Sequence, residues 1–576
     1  NHNSIQSAVL EARSQFLDFL KFERFDVRRK TMKSSYRSTC RWLLRQSEYR
    51  QWLDEPCSSQ HGGFLWIKGN PGTGKSTLMK FAFEEESRCA KKRKRQGSGP
   101  EVVASFFFNA RGNSMEQSVE GMYRALILQI LQEFADLQGL LDEMEIPGIV
   151  SEGITIVELE ELFKSISANL KGRRVTCFID ALDEGGRKQV VKMVKGFQDL
   201  FEDSTLPDSQ LRICFSSRHY PYIEPRVGLQ VTLEKLLGHD EDLKEYVLGN
   251  LDIANHVFKQ DISTRLLEKA QGIFLWTALV VDYLNEDISD GLPVEHSLFV
   301  RLEQVPEGLH RLFKHLLDRH SSDMSTFRLM VAWMLFSRES LSPRQVDHAL
   351  WSGSHGDELR HSTPPTFDEP DIEDRIRKRV ISASKGLAEI MATDKPTVQF
   401  IHESVRDFLL KDGGLEGLWR DIGANNAAQH CHELLKDCCD QYLNHPVIVR
   451  VLPPQTHDGA KRWERNEVRQ KLLDEYPLLQ YACQNILGHA DAAAYSFSQE
   501  LFLSGIYLPH LTAMLNLMEE YKSRLYRSDH DLLSIIANRG HVQLLRGWTG
   551  GFSVHYTYPM VAAIAGRQEG AFAVLM

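Results

Sequence analysis

One uninterrupted stretch carries the strongest chemical signal in the chain. Gly69-Asn70-Pro71-Gly72-Thr73-Gly74-Lys75-Ser76, with Thr77 behind it, has the spacing of a phosphate-binding loop. Glycines let backbone N–H groups converge on a phosphate without Cβ clashes, and a helix N-terminus adds its positive dipole end. By this pattern Lys75 would neutralise β- and γ-phosphates, and the Ser76 hydroxyl would ligate Mg2+. Phe178-Ile179-Asp180 ends an apolar run in a carboxylate, and Asp180, expected on a strand neighbouring the loop's, would hold Mg2+ through water. Asp183 and Glu184 follow at once: one of them polarises the attacking water, or the pair only caps the next helix. Phe215-Ser216-Ser217-Arg218 is a further apolar run, ending in a cation that either senses the γ-phosphate or is an ordinary surface arginine. The chemistry so assembled is Mg2+-dependent binding of a nucleotide, ATP/ADP or GTP/GDP.

Such residues need a sheet to hold them. Phe64–Ile67 precedes the loop and a helix follows from Lys75, while Val102–Phe108, Val175–Ile179, Leu211–Phe215 and Leu229–Leu233 repeat the short apolar run. Strands buried on both faces read this way in parallel sheets, so residues 62–235 form a doubly wound α/β domain. Residues 1–61 read as helices, with Ser38 and Thr39 ahead of Cys40-Arg41-Trp42-Leu43-Leu44. A helical domain is expected over 236–305. Over 306–411 come helices and a hairpin, Gly386–Ile390 and Val398–Ile401 about a Thr393-Asp394-Lys395-Pro396 turn, the ingredients of a winged helix. Residues 412–524 are helical again. In 525–576, Leu532–Ala537 with Gly540 is echoed by Pro559–Ile564 with Gly566, an ankyrin-like repeat whose offset from 532 to 559 is shorter than the usual period of about 33. The fold class is therefore multidomain α/β plus α, with a longer repeat array and further N-terminal sequence expected beyond the chain.

Composition narrows the classes. The 576 residues hold 68 Lys and Arg against 78 Asp and Glu, a net charge of −10, which argues against a nucleic-acid partner gripped by a broad basic surface. Nine cysteines are too few for a disulfide scaffold. The best apolar run, Ile273–Val281, is too short to span a membrane and is followed by Asp282. A cytoplasmic protein is expected. The basic run Lys91–Arg95 reads as a solvated loop, and His430-Cys431-His432 with Cys438-Cys439 as a packed helix face rather than a metal site.

Taken together, Trp66–Gly69, Gly72–Thr77, Ile179–Glu184 and Ser216–Arg218 resemble the NACHT module of STAND signalling NTPases. The Thr39–Leu44 and Tyr49–Leu53 segments resemble more narrowly its fungal, nephrocystin-3-like branch. The resemblance implies a slow NTPase used as a switch, closed with diphosphate and forming a homo-oligomer with triphosphate, in fungal defence or incompatibility signalling. It implies protein partners through the ankyrin-like end and an N-terminal effector. It also makes His402, in Phe400-Ile401-His402-Glu403, the residue that bonds the β-phosphate and locks the closed state. Such a bond is worth about 1.5–3 kcal/mol. Reversing a 1:99 equilibrium takes about 5.5 kcal/mol, so interdomain packing must add the rest. Gln271–Trp276 lacks the proline that many relatives set against the base, and the Asn-Lys-x-Asp element of small GTPases is absent, which leaves ATP preferred and GTP open. The competing readings are a metabolic NTPase or transferase with steady turnover, and a winged-helix regulator.

Overall fold

The computed structural model describes residues 2–22, 26–32, 34–54, 61–97, 99–202, 210–219, 228–289, 294–319, 324–354, 359, 361–367, 370–391, 395–420, 426–451, 462–519, 525–526, 530–548 and 557–576. The chain divides into two compact units, 1–312 and 313–576.

In the first unit, all five expected strands form: β1 Phe64–Lys68, β2 Glu101–Phe107, β3 Arg174–Asp180, β4 Gln210–Ser217 and β5 Leu229–Thr232. They make one parallel sheet in the order β2-β3-β4-β1-β5. Alternation along β1 sends Phe64 and Trp66 to one core and Leu65 and Ile67 to the other. The first core is closed by helices Val119–Glu133, Ile156–Ala168 and Arg187–Glu202, the second by Leu78, Met79 and Ala82 of helix Lys75–Arg95. The 1–61 segment is built into both: Phe16 and Leu20 join the first, and Cys40, Leu43, Tyr49 and Trp52 the second. Trp52 is fully buried and donates from Nε1 to Gly63 O at 2.7 Å, so its apolar body is covered while its one polar atom is satisfied.

Two expectations are corrected. β3 does not neighbour β1; β4 lies between them, because the chain crosses from β1 to the far edge and returns through β3 and β4. Lys91–Arg95 is no loop but the last turn of helix Lys75–Arg95. Cations suit that end of a helix dipole, and Arg93 also pairs with Glu101 at 2.8 Å and Glu86 at 2.5 Å.

Beyond the sheet run helices Leu237–Asn250, His256–Ala270, Phe274–Ser289 and Val294–Gln304. Asp242 in the first of them accepts from Cys40 N at 2.7 Å and from Trp42 Nε1 at 2.8 Å, fastening the 36–45 stretch to this helix.

Helix Leu309–Arg319 crosses into the second unit, which continues with helices Met324–Phe336, Pro343–Ser354 and Ile372–Ala383, then an antiparallel pair, β6 Ala388–Ile390 and β7 Val398–Phe400. Thr393 and Asp394 of the expected turn lie outside the described residues. Helix Ala427–Leu443 packs Cys431, Leu435, Cys438 and Tyr442 along one buried face. At the end, helix pairs Leu532–Asn538 with Val542–Arg546, and Thr557–Ala565 with Glu569–Leu575, share one turn. His541 N bonds Ile536 O at 3.1 Å, and Gln568 N bonds Ala563 O at 2.8 Å. The left-handed residue of that turn is Gly540 in one copy and Arg567 in the other, so Arg567, not Gly566, is the counterpart of Gly540. Gly566 has a separate reason to be small: a Cβ there would lie 2.1 Å from Asn538 O.

Candidate functional site

The phosphate loop leaves β1 at Gly69 and enters helix Lys75–Arg95 with no side-chain cap, which leaves the first N–H groups of that helix for an anion. Asn70-Pro71-Gly72-Thr73 is a tight turn, with Thr73 N and Oγ1 both bonded to Asn70 O at 3.3 and 3.0 Å. Gly72 and Gly74 hold φ of +79° and +95°, conformations that side-chain-bearing residues disfavour. Gly72 is also gripped from the helical region. Leu275 N donates to Gly72 O at 2.9 Å, and a Cβ on Gly72 would lie 2.9 Å from Leu275 Cβ and 3.1 Å from Leu309 Cδ1. The segment that makes this contact turns through Gln271 and Gly272, both at positive φ, with Gly272 O in contact with His239 Nε2 at 2.8 Å. Phe274 stands in it with its ring 4.9 Å from that of Tyr246.

Lys75 donates from Nζ to Gly69 O and Asn70 O, both at 2.8 Å. Burial lowers its pKa to about 8 in spite of Asp183 and Asp180 nearby. A bound phosphate would favour the charged form, so nucleotide binding should take up a proton at about pH 9 and almost none at about pH 7. Calorimetry in buffers of different ionisation enthalpy checks this; an observed heat independent of buffer at the higher pH would count against it.

Asp180 ends β3, fully buried. Ser216 Oγ donates to its Oδ1 at 2.5 Å and accepts from Ala181 N at 3.0 Å. Burial pushes the carboxyl up, while the charge of Arg28 and the hydroxyls of Ser216 and Ser76 pull it back. Its other oxygen, Oδ2, has no hydrogen-bond partner among the described residues. An orphaned carboxylate oxygen with a serine hydroxyl beside it is a donor set that fits Mg2+.

The remaining acids are engaged. Asp183 accepts from Arg218 twice, from its backbone N at 3.0 Å and from Nε at 2.9 Å. Glu184 is paired with Arg28, Nη2 to Oε1 at 2.9 Å and Nη1 to Oε2, and accepts from Ala110 N at 2.8 Å. Burial opposes ionisation of Glu184, but Arg28 and the Ala110 N–H outweigh it and hold its pKa below the usual range. The following helix begins at Arg187, three residues beyond Glu184. The structure thus brings together Gly69 to Thr77, Asp180, Asp183, Glu184 and Arg218.

His402 belongs to the second unit. There it caps helix Glu403–Lys411, its Nδ1 accepting from Ser404 N at 3.0 Å.

Two residues escaped the sequence reading. Arg28 reaches the acids from helix Val27–Thr31, and Glu234 packs against Gly69 and Gly272 while pairing with His219. Neither lies in a spaced pattern, and no local signal marks either.

Residues 38–218 match the family described as "Nephrocystin 3, N-terminal". The chain is 26% identical over 414 residues to the vegetative incompatibility protein HET-E-1 of Podospora anserina, a match covering 68% of this chain and 27% of that protein. It thus spans about a quarter of that relative's length. Slighter structural likenesses are to two solved structures, at 11% and 12% identity respectively; the first is Cdc6p from Pyrobaculum aerophilum, with a TM-score of 0.30 and coverage of 68% of this chain and 97% of that one. The other is a signal-transduction ATPase with a tetratricopeptide-repeat sensor from Pyrococcus horikoshii, with a TM-score of 0.28 and coverage of 89% and 64%.

Proposed function

We propose, from the match of residues 38–218 to the nephrocystin 3 N-terminal family, that the chain is a NACHT-type nucleotide-gated signalling switch. The observation that carries this reading is the grip on Gly72. A switch must pass loop occupancy on to the rest of the chain, and Leu275 N to Gly72 O connects the loop directly to the helical region. Diphosphate holds the switch closed; triphosphate opens it to homo-oligomers, and hydrolysis is slow. ATP is preferred over GTP. The name of the Podospora anserina relative supports a role in incompatibility or defence signalling.

In this reading Lys75 and the N–H groups opening helix Lys75–Arg95 bind the phosphates. Ser76 and Asp180 would hold Mg2+, which would supply charge neutralisation to the phosphates. Arg218, steadied by Asp183, answers the γ-phosphate, and Asp183 or Glu184 orients the attacking water once freed from its arginine. The three helices and hairpin of the second unit act as a winged helix, and His402 bonds the diphosphate. The ankyrin-like helix pairs bind a protein partner, and an effector acts from the N-terminal side.

His402→Ala should shift the chain toward oligomers without added triphosphate, as read by light scattering after size exclusion; a variant as monomeric as its parent would remove the lock. The test of the whole reading is to denature the purified chain and identify what it releases. Stoichiometric ADP or GDP supports the closed switch and names the base. An empty site that turns over triphosphate rapidly supports a metabolic NTPase instead.

A further inference from the structure

Helix Val27–Thr31 buries no residue fully, yet it delivers a cation to the end of β3. Arg28 donates from Nη1 to Phe108 O and Glu184 Oε2, and from Nη2 to Glu184 Oε1 at 2.9 Å. The two side chains are only 14% and 11% exposed. With the Ala110 N–H on Oε2 as well, both carboxylate oxygens of Glu184 are occupied. Asp180 and Asp183 add their attraction for Arg28, whose pKa is raised in spite of burial. The same short segment is fastened to the helix that follows the phosphate loop: Lys80 Nζ donates to Met32 O at 2.5 Å, and the Arg29 guanidinium lies 4.4 Å over the Phe83 ring.

We propose that Arg28 is a positioning residue of the nucleotide site: it holds Glu184 away from water in the resting state and couples the docking of residues 26–32 to what the site contains. The proposal rests on the nucleotide-switch reading above. Its physical basis is a two-pronged charge pair in a nearly dry setting. Three carboxylates, Asp180, Asp183 and Glu184, crowd one strand end and need compensating charge. Arg218 serves Asp183, and Arg28 serves Glu184. Charge added at Asp180 and in the loop changes the field at Arg28, and Glu184 cannot turn toward a water without giving up the fork. An acid released to act is therefore an arginine released from its dock, and the N-terminal segment registers the event.

The test is hydrogen exchange at the amides of residues 27–32 in the full chain, without nucleotide, with diphosphate and Mg2+, and with a non-hydrolysable triphosphate and Mg2+. A fluorescent nucleotide titration runs alongside. In the parent, exchange should differ severalfold between the two nucleotides. In Arg28→Gln and in Glu184→Gln it should be about tenfold faster and indifferent to nucleotide, with the double variant no faster than either. Arg28→Lys, which keeps the charge and loses the fork, should retain part of the nucleotide dependence. For Arg28→Gln, hydrolysis should change in kcat with KM unaltered. If Arg28→Gln fails to fold, the Lys variant and the parent still decide the matter. Parent exchange identical in every state, with nucleotide shown to bind, overturns this proposal alone; additive effects in the double variant do the same. A parent that binds no nucleotide overturns the switch reading along with it.

Discussion

Lys75→Ala should leave the purified chain empty, with nucleotide affinity lowered by about 100-fold or more. In the structure its ammonium is drawn out of water and spends its hydrogen bonds on Gly69 O and Asn70 O. Those are the carbonyls of the loop itself, so the cation stands ready beside the place a phosphate would take. A charge-assisted bond to each of two phosphates, at about 1.5–3 kcal/mol apiece, accounts for a loss of that size. The fold should tolerate the change better than the ligand does. Burial already opposes the charge on Lys75, so removing it recovers desolvation even as two carbonyls lose a donor. The measurement is nucleotide released on denaturation, with a thermal melt as control. Parent-like stoichiometry in a folded variant would refute the role given to Lys75.

What could be read from the sequence was whatever is written locally. The loop spans consecutive residues, and each strand announces itself as an apolar run, since both of its faces are covered. Hence Gly69 to Thr77, Asp180 and Arg218 stand out in the sequence, and so do all five strands. Strand order is not local, which is why Asp180 was expected on a neighbour of β1 although β4 intervenes. The partners of the acids are still less local. Arg28 meets Glu184 across 156 residues, and Trp42 meets Asp242 across 200, and no spacing in the sequence joins the partners of either pair. The repeat shows the same limit at small scale. Its helices are legible, but aligning glycine on glycine puts the turn one residue off, because Arg567 accepts the left-handed conformation that Gly540 takes at less cost.

The same contrast between local chemistry and distant compensation sets the outcome for Asp180→Asn: function falls and stability does not. Asp180 is fully buried, and its Oδ2 has no hydrogen-bond partner among the described residues. Its pKa is raised above the ordinary value, chiefly by burial. A carboxyl whose folded pKa is raised costs stability once pH exceeds its unfolded value, so at neutral pH Asp180 is kept at the fold's expense. Asparagine keeps the shape and an oxygen for the Ser216 hydroxyl while removing the charge. The melting temperature should therefore stay level or rise slightly. Mg2+-dependent triphosphate binding should fall about 100-fold, since the site loses the carboxylate that would hold the divalent cation through water. Binding measured with and without chelator separates the two: the variant should behave in Mg2+ as the parent does in chelator. A variant that keeps its Mg2+ response would move the metal away from Asp180, and one that melts many degrees lower would mean that the Arg28 counter-charge stabilises the fold through Asp180 itself.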